Sequence, residues 1–126
     1  MLEKKNAPPQ GLRIIIAGCG KVGSTLVEQL SQEGHGIVVI DKNASRVQNL
    51  TAMYDIMGIV GNGASYSVQQ EAGVDEADLI IAVTDSDELN LLCCTVAKRS
   101  GRCAAIARVR EQLSIPVLAN GDVFAP

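Results

Sequence analysis

Aromatic side chains are almost missing from this chain of 126 residues, which has no tryptophan, one phenylalanine and two tyrosines. With 47% of its residues apolar, the core must be isoleucine, valine, leucine and alanine. Such a core suits a parallel sheet covered by helices on both faces. Histidine occurs once, at His35, and Cys19, Cys93, Cys94 and Cys103 contain no C-x-x-C pair. A zinc site therefore lacks its usual ligand spacing. No apolar run approaches the roughly 20 residues of a membrane span, and the polar residues 1–10 lack the hydrophobic stretch of a signal peptide. The net charge is −3 and no stretch is densely basic, which argues against nucleic acid as the main partner. These absences describe a cytosolic chain of one domain, long enough to bury a sizeable core.

What is present is a β-branched run, Ile14-Ile15-Ile16-Ala17, feeding Gly18-Cys19-Gly20-Lys21-Val22-Gly23 and then a helical pattern. This is the G-x-G-x-x-G fingerprint of a dinucleotide site, and Asp41 closes the next apolar run at the expected distance. Gly18 allows the tight turn, Gly20 lets backbone approach a pyrophosphate, and Gly23 lets helix pack close to sheet. The helix beginning near Lys21 offers unpaired N–H groups and a positive dipole end to phosphates. The rival reading is a glycine-rich turn with no ligand.

Along the rest of the chain, strand patterns at 13–17, 37–41, 56–60, 79–83, 104–109 and 123–124 alternate with helical ones. The helices are expected near 21–33, 44–53, 65–72 and 87–99, with a short last one after Ser114. Residues 1–11, with Pro8-Pro9, look like a flexible arm or an expression remnant. The alternation predicts an α/β fold, a Rossmann-like doubly wound parallel sheet of about six strands in order 3-2-1-4-5-6. Its ligand crevice lies at the carboxyl ends of strands one and four, where residues 18–23 face Thr84-Asp85-Ser86-Asp87-Glu88.

Asp41 is placed to accept hydrogen bonds from ribose hydroxyls, and its charge disfavours the 2′-phosphate of NADP. Lys42 and Arg46 nearby keep NADP from being excluded, and a purely structural Asp ending a strand is the alternative. Arg46 either reaches back toward a ligand or is a solvated helix charge. Lys21 can neutralise a polyphosphate as a point charge. Without a Lys before Ser24-Thr25, a P-loop NTPase is rejected. Asn62, in Gly61-Asn62-Gly63-Ala64-Ser65, can offer donor and acceptor to an adenine edge, or can simply make a turn that Ser65 caps. Asp85 and Glu88 have capping-box spacing, with a divalent cation as the minority reading. Thr84 is expected nearest the phosphates. Cys19 reads as a small residue in a tight turn, with a reactive thiol as the alternative. His35 reads as a turn residue.

Catalytic residues are hard to find. Neither Tyr54 nor Tyr66 is followed by Lys four positions later, and no Ser/His/Asp set is evident. A hydride-transfer enzyme also needs a substrate domain, for which no residues remain.

Several stretches together resemble the N-terminal domain of the TrkA family, also called RCK or KTN. They are 15–23, Val39-Ile40-Asp41-Lys42-x-x-x-Arg46, Gly61-Asn62-Gly63-Ala64-Ser65, Ala72-Gly73-x-x-x-Ala77-Asp78 and Ala82-x-Thr84-x-x-Asp87-Glu88-x-Asn90. The resemblance runs from about Arg13 to Val109, more loosely to the end, and implies one such domain over 12–126. It implies a regulatory domain of a potassium uptake system that binds NAD(H), ATP or ADP without chemistry. Such domains self-associate as dimers or larger rings beneath a membrane potassium-translocating subunit, at the cytoplasmic face. By position, Gly18, Cys19, Gly20, Lys21, Val22 and Gly23 would cradle phosphates, Asp41 would hold ribose with Lys42 and Arg46 beside it, Asn62, Gly63 and Ala64 would border adenine, and Thr84 would flank the ligand. Asn62 stands where the family commonly has Asp, and Lys21 where ATP-responsive members often have Arg; the family's usual second ligand-binding domain is absent. The competing function is the cofactor half of an NAD-dependent oxidoreductase.

Overall fold

β-Branched residues in the strands and well-placed caps between them produce a regular alternation. The computed structural model describes residues 11–110. The elements are β1 (Arg13–Ala17), α1 (Lys21–Gln32), β2 (Gly36–Asp41), α2 (Ala44–Met53), β3 (Met57–Val60), α3 (Tyr66–Glu71), β4 (Leu79–Ala82), α4 (Asp87–Ala97), a 3₁₀ turn (Lys98–Ser100) and β5 (Ala104–Ala107). All strands pair in parallel in order β3-β2-β1-β4-β5. The expected arm, last helix and sixth strand lie outside the described residues.

Side chains alternate across the sheet, so consecutive isoleucines of β1 serve opposite faces. Ile15, Ala17, Ile40, Ile80 and Ala82 pack with Cys93, Cys94 and Ala97 of α4. Ile14, Ile16, Ile37 and Val39 pack with Val27 of α1 and with Val47 and Leu50 of α2. With both faces covered, β1 reads as an unbroken apolar run. Each buried isoleucine contributes about 1.5–3 kcal/mol relative to exposure. At the opposite end from the crevice, Asp78 accepts a hydrogen bond from Arg13 N (2.8 Å) and another from the Arg102 guanidinium (3.0 Å). These bonds, the backbone one foremost, hold its carboxyl below the usual carboxylate range.

The caps decide where the helices begin. Asn43 accepts from Arg46 N, Ser65 from Val68 N and Ser86 from Leu89 N. Ser86 therefore occupies the place that the spacing assigned to Asp85. Because α4 begins at Asp87, only residue 86 lies at the right offset to receive an N–H of the first turn. Helix α4 ends in the 3₁₀ turn, which Gly101 closes in the left-handed region (φ 80°).

Candidate functional site

The glycine loop joins the carboxyl end of β1 to α1. Gly18 has φ +112°, and a Cβ there would stand 2.8 Å from Thr84 N and from the Val83 carbonyl carbon. The loop thus lies directly against the exit of β4, which brings residues 18–23 and Thr84 together as the sequence suggested. Gly20 is the N-cap of α1 and offers no side-chain acceptor. Its carbonyl receives Ser24 N at 2.8 Å, so the N–H groups of Lys21, Val22 and Gly23 have no partner within the helix. Among the described α-helices, α1 is the one whose N-cap makes no side-chain hydrogen bond. Its first turn also carries no acidic residue, while that of α4 carries Asp87 and Glu88. A helix terminus of this kind is open to an anion.

Asp41 has a role that spacing alone did not reveal. One carboxylate oxygen accepts from Cys19 N at 2.7 Å and the other from Asn43 N at 2.8 Å. The carboxylate therefore shapes the glycine loop and the start of α2, and retains lone pairs for a further donor. Because Cys19 N is taken, residue 19 offers no backbone N–H to a phosphate. Arg46 reaches back from α2, with Nη1 3.6 Å from where a Gly20 Cβ would be. Lys21 and Lys42 are exposed and form no ion pair among the described residues.

The loop after β3 closes one side. Gly61 N donates to Asp41 O (3.0 Å), and Asn62 Oδ1 receives Ala64 N (2.9 Å). A Cβ at Gly63 would stand 3.0 Å from Ala17 Cβ, so this loop sits on the end of β1. On the other side, Thr84 N donates to Asn90 Oδ1 (2.8 Å) and Thr84 Oγ1 lies 2.7 Å from the same atom. Asn90 Nδ2 donates to Thr84 O (3.2 Å) and Arg108 O (3.0 Å), so this fully buried amide is satisfied at both ends. Arg108 Nη2 donates to Thr84 O at 2.7 Å, and Arg110 N is held by the Asp87 carboxylate at 3.1 Å. Asn90 stood at the end of a quoted motif with no role assigned to it, and Arg108 was not singled out from the sequence. For Asn90 the usable signal was its six-residue offset from Thr84; for Arg108 there was none.

His35 accepts from Leu12 N (3.0 Å) before β2, which bears out its reading as a turn residue remote from the crevice. All four cysteines are buried and unpaired. Burial pushes the thiols of Cys19, Cys93 and Cys94 up to about 12 and that of Cys103 to about 11. They behave as small apolar groups, and Cys19 is no poised nucleophile. A folded pKa raised above the unfolded value, near 8.5 for a free thiol, stabilises at lower pH and ceases to as pH rises. The folded chain is therefore expected to resist thiol reagents at pH 8, to label at four positions in denaturant, and to lose stability above about pH 9. Rapid labelling of native Cys19 would overturn this reading.

No described helix is long and apolar enough to cross a membrane, and no described group of three or more His, Cys, Asp or Glu is arranged to hold a metal. A depression of ≈ 220 Å³ lies at the other end of the sheet, lined by Arg13, Val38, Met57, Ile59, Ala72 and Ala77. It has no uncapped helix terminus and is not the candidate site.

Comparison with known proteins agrees with this fold. The Trk system potassium uptake protein TrkA of Halomonas elongata is 43% identical over 100 residues, which cover 79% of this chain and 22% of that protein. The chain thus spans about a fifth of that relative's length. Two solved structures share the fold. The AMP-bound Kef CTD of Shewanella denitrificans has a TM-score of 0.70 at 23% identity, covering 79% of this chain and 60% of that one. The GsuK channel bound to NAD has a TM-score of 0.64 at 24% identity, covering 82% and 19%. The model of the TrkA-N domain matches residues 14–123, and the chain belongs to that family.

Proposed function

We propose that this chain is a nucleotide-sensing regulatory domain of a potassium uptake system, one that binds an adenine nucleotide and performs no chemistry on it. The observation that carries the reading is the uncapped N-terminus of α1 behind the glycine loop, with Asp41 beside it. In this reading the N–H groups of Lys21, Val22 and Gly23 receive phosphate, with Gly18 and Gly20 keeping the approach clear. Cys19 contributes through the bond that orients the loop. Lys21, Lys42 and Arg46 supply positive charge, Asp41 holds the ribose, Asn62, Gly63 and Ala64 border the base, and Thr84 flanks the ligand. NAD(H), ATP and ADP fit this arrangement, while the Asp41 carboxylate repels the extra phosphate of NADP.

The relative's name supports a potassium uptake role, and the AMP and NAD of the two structural neighbours support the ligand class. Two carboxylates at the crevice hold backbone N–H groups (Asp41 those of Cys19 and Asn43, Asp87 that of Arg110), structural duties that favour a sensor over an enzyme. In the proposal the domain self-associates and meets a membrane potassium-translocating subunit at the cytoplasmic face. A ligand moves such an assembly only by its differential affinity for two states. Calorimetric titration of the chain with NADH, NAD, ATP, ADP and NADPH tests the reading. Saturable binding is expected for at least one of the first four, with NADPH weaker than NADH. Binding of none, or oxidation of NADH with a carbonyl substrate, would overturn it.

A further inference from the structure

Gln69 of α3 is completely buried, and its side chain spans two elements of the crevice. Nε2 donates to Gly63 O at 2.7 Å and to Cys93 O, in the body of α4, at 3.0 Å. Both partners are carbonyls that can only accept, so the amide cannot be turned over without setting oxygen against oxygen. Its own Oε1 is buried without a hydrogen-bond partner among the described residues. A buried acceptor left unpaired is destabilising, and a leucine of similar size would remove that burden. It would also leave the Gly63 carbonyl without its side-chain donor, so such a variant is expected to be somewhat less stable.

We infer that Gln69 is a positioning residue for the base-side loop of the crevice. This rests on the nucleotide reading above. By drawing the Gly63 carbonyl inward, Gln69 sets the plane of the peptide between Gly63 and Ala64. Asn62 Oδ1 fixes that peptide from the other side by receiving Ala64 N at 2.9 Å. With Oδ1 so engaged, the amide Nδ2 of Asn62 remains its donor for a purine edge. The same Gln69 amide ties the loop to α4, the helix whose Asn90 holds Thr84 on the opposite wall. One side chain thus spaces the two walls between which a base would sit.

The test uses this chain and its Gln69→Leu variant, with Gln69→Met as a second form should the leucine variant not fold. ADP and ribose 5-phosphate are titrated against each, and thermal midpoints are recorded without ligand. Loss of one hydrogen bond that holds the loop should weaken ADP about five- to tenfold. Ribose 5-phosphate, which has no base, should bind unchanged, while loss of the donor to Gly63 O lowers the midpoint somewhat. Exchange of the Ala64 amide with solvent should quicken. ADP binding equal to wild type would overturn the inference. So would equal loss of both ligands, which marks a merely structural strut. A wild-type chain that binds no ADP would instead overturn the nucleotide reading itself.

Discussion

Gly23→Ala should leave the chain unfolded or nearly so at 25 °C, although a glycine-to-alanine change within a helix ordinarily helps. Helix propensity alone favours alanine by about 1 kcal/mol. Against this stands the position of the new Cβ, 1.8 Å from the Gly18 carbonyl oxygen and 2.8 Å from its carbon. Both atoms are backbone, so no rotamer change relieves the overlap. Either α1 lifts off the sheet or the loop abandons its contact with Val83 and Thr84. Overpacking by even a methylene or two costs roughly 1–3 kcal/mol where side chains can adjust, and here they cannot. A cost above about 4 kcal/mol consumes most of the stability of a domain at the low end of the usual range of about 5–15 kcal/mol. Gly34→Ala is the control. Gly34 has φ +86° with nothing within 4 Å, so its cost is only the left-handed penalty of about 1–2 kcal/mol. Far-UV circular dichroism on heating separates the two. A Gly23→Ala midpoint equal to wild type would refute the close packing of α1 on the loop.

Removing the Asp41 carboxylate should have the largest effect on ligand binding. Asp41→Ala strips Cys19 N and Asn43 N of their acceptors, and each bond to a charged group is worth about 1.5–3 kcal/mol. Because the Asn43 bond is exposed and worth less than the Cys19 bond, a stability loss of roughly 2–4 kcal/mol is expected in urea titrations, with nucleotide affinity reduced at least tenfold. Asp41→Asn is the sharper variant, because its NH₂ must face one of the two N–H donors. If Asp41 also accepts from ribose, wild type should prefer ADP to its 2′,3′-dideoxy analogue, and the Asn variant should lose much of that preference. A preference unchanged by the substitution would assign Asp41 to loop geometry alone. Unchanged stability in both variants would contradict the hydrogen bonds themselves.

Much of this fold was open to sequence reasoning because its signals are local. Residues 14–17 alternate faces in a sheet covered on both sides, so they must all be apolar wherever the helices fall. Gly18, Gly20 and Gly23 stand where a strand turns into a close-packed helix, and their spacing states that geometry without tertiary information. Ser65 capped α3 as expected for the same reason, since a cap reaches only three residues ahead. Strand ends moved by a residue or two, as with β2 beginning at Gly36 and β4 stopping at Ala82. The last ladder bond depends on the neighbouring strand, which periodicity does not report.

The composition and the order of motifs by themselves determined that this chain forms an aromatic-poor parallel α/β sheet with a glycine loop at its first crossover. They did so because side-chain alternation, turn conformation and helix capping act over only a few residues. Only the tertiary structure decided which groups the crevice holds in readiness. It engaged the Asp41 carboxylate on Cys19 N and Asn43 N, drew Arg108 onto Thr84 O, and buried Gln69 between Gly63 and Cys93. The bonds of Asp41 to Cys19, Arg108 to Thr84 and Gln69 to Cys93 join residues 22 to 24 apart along the chain, brought together only by packing, and no local pattern encodes them.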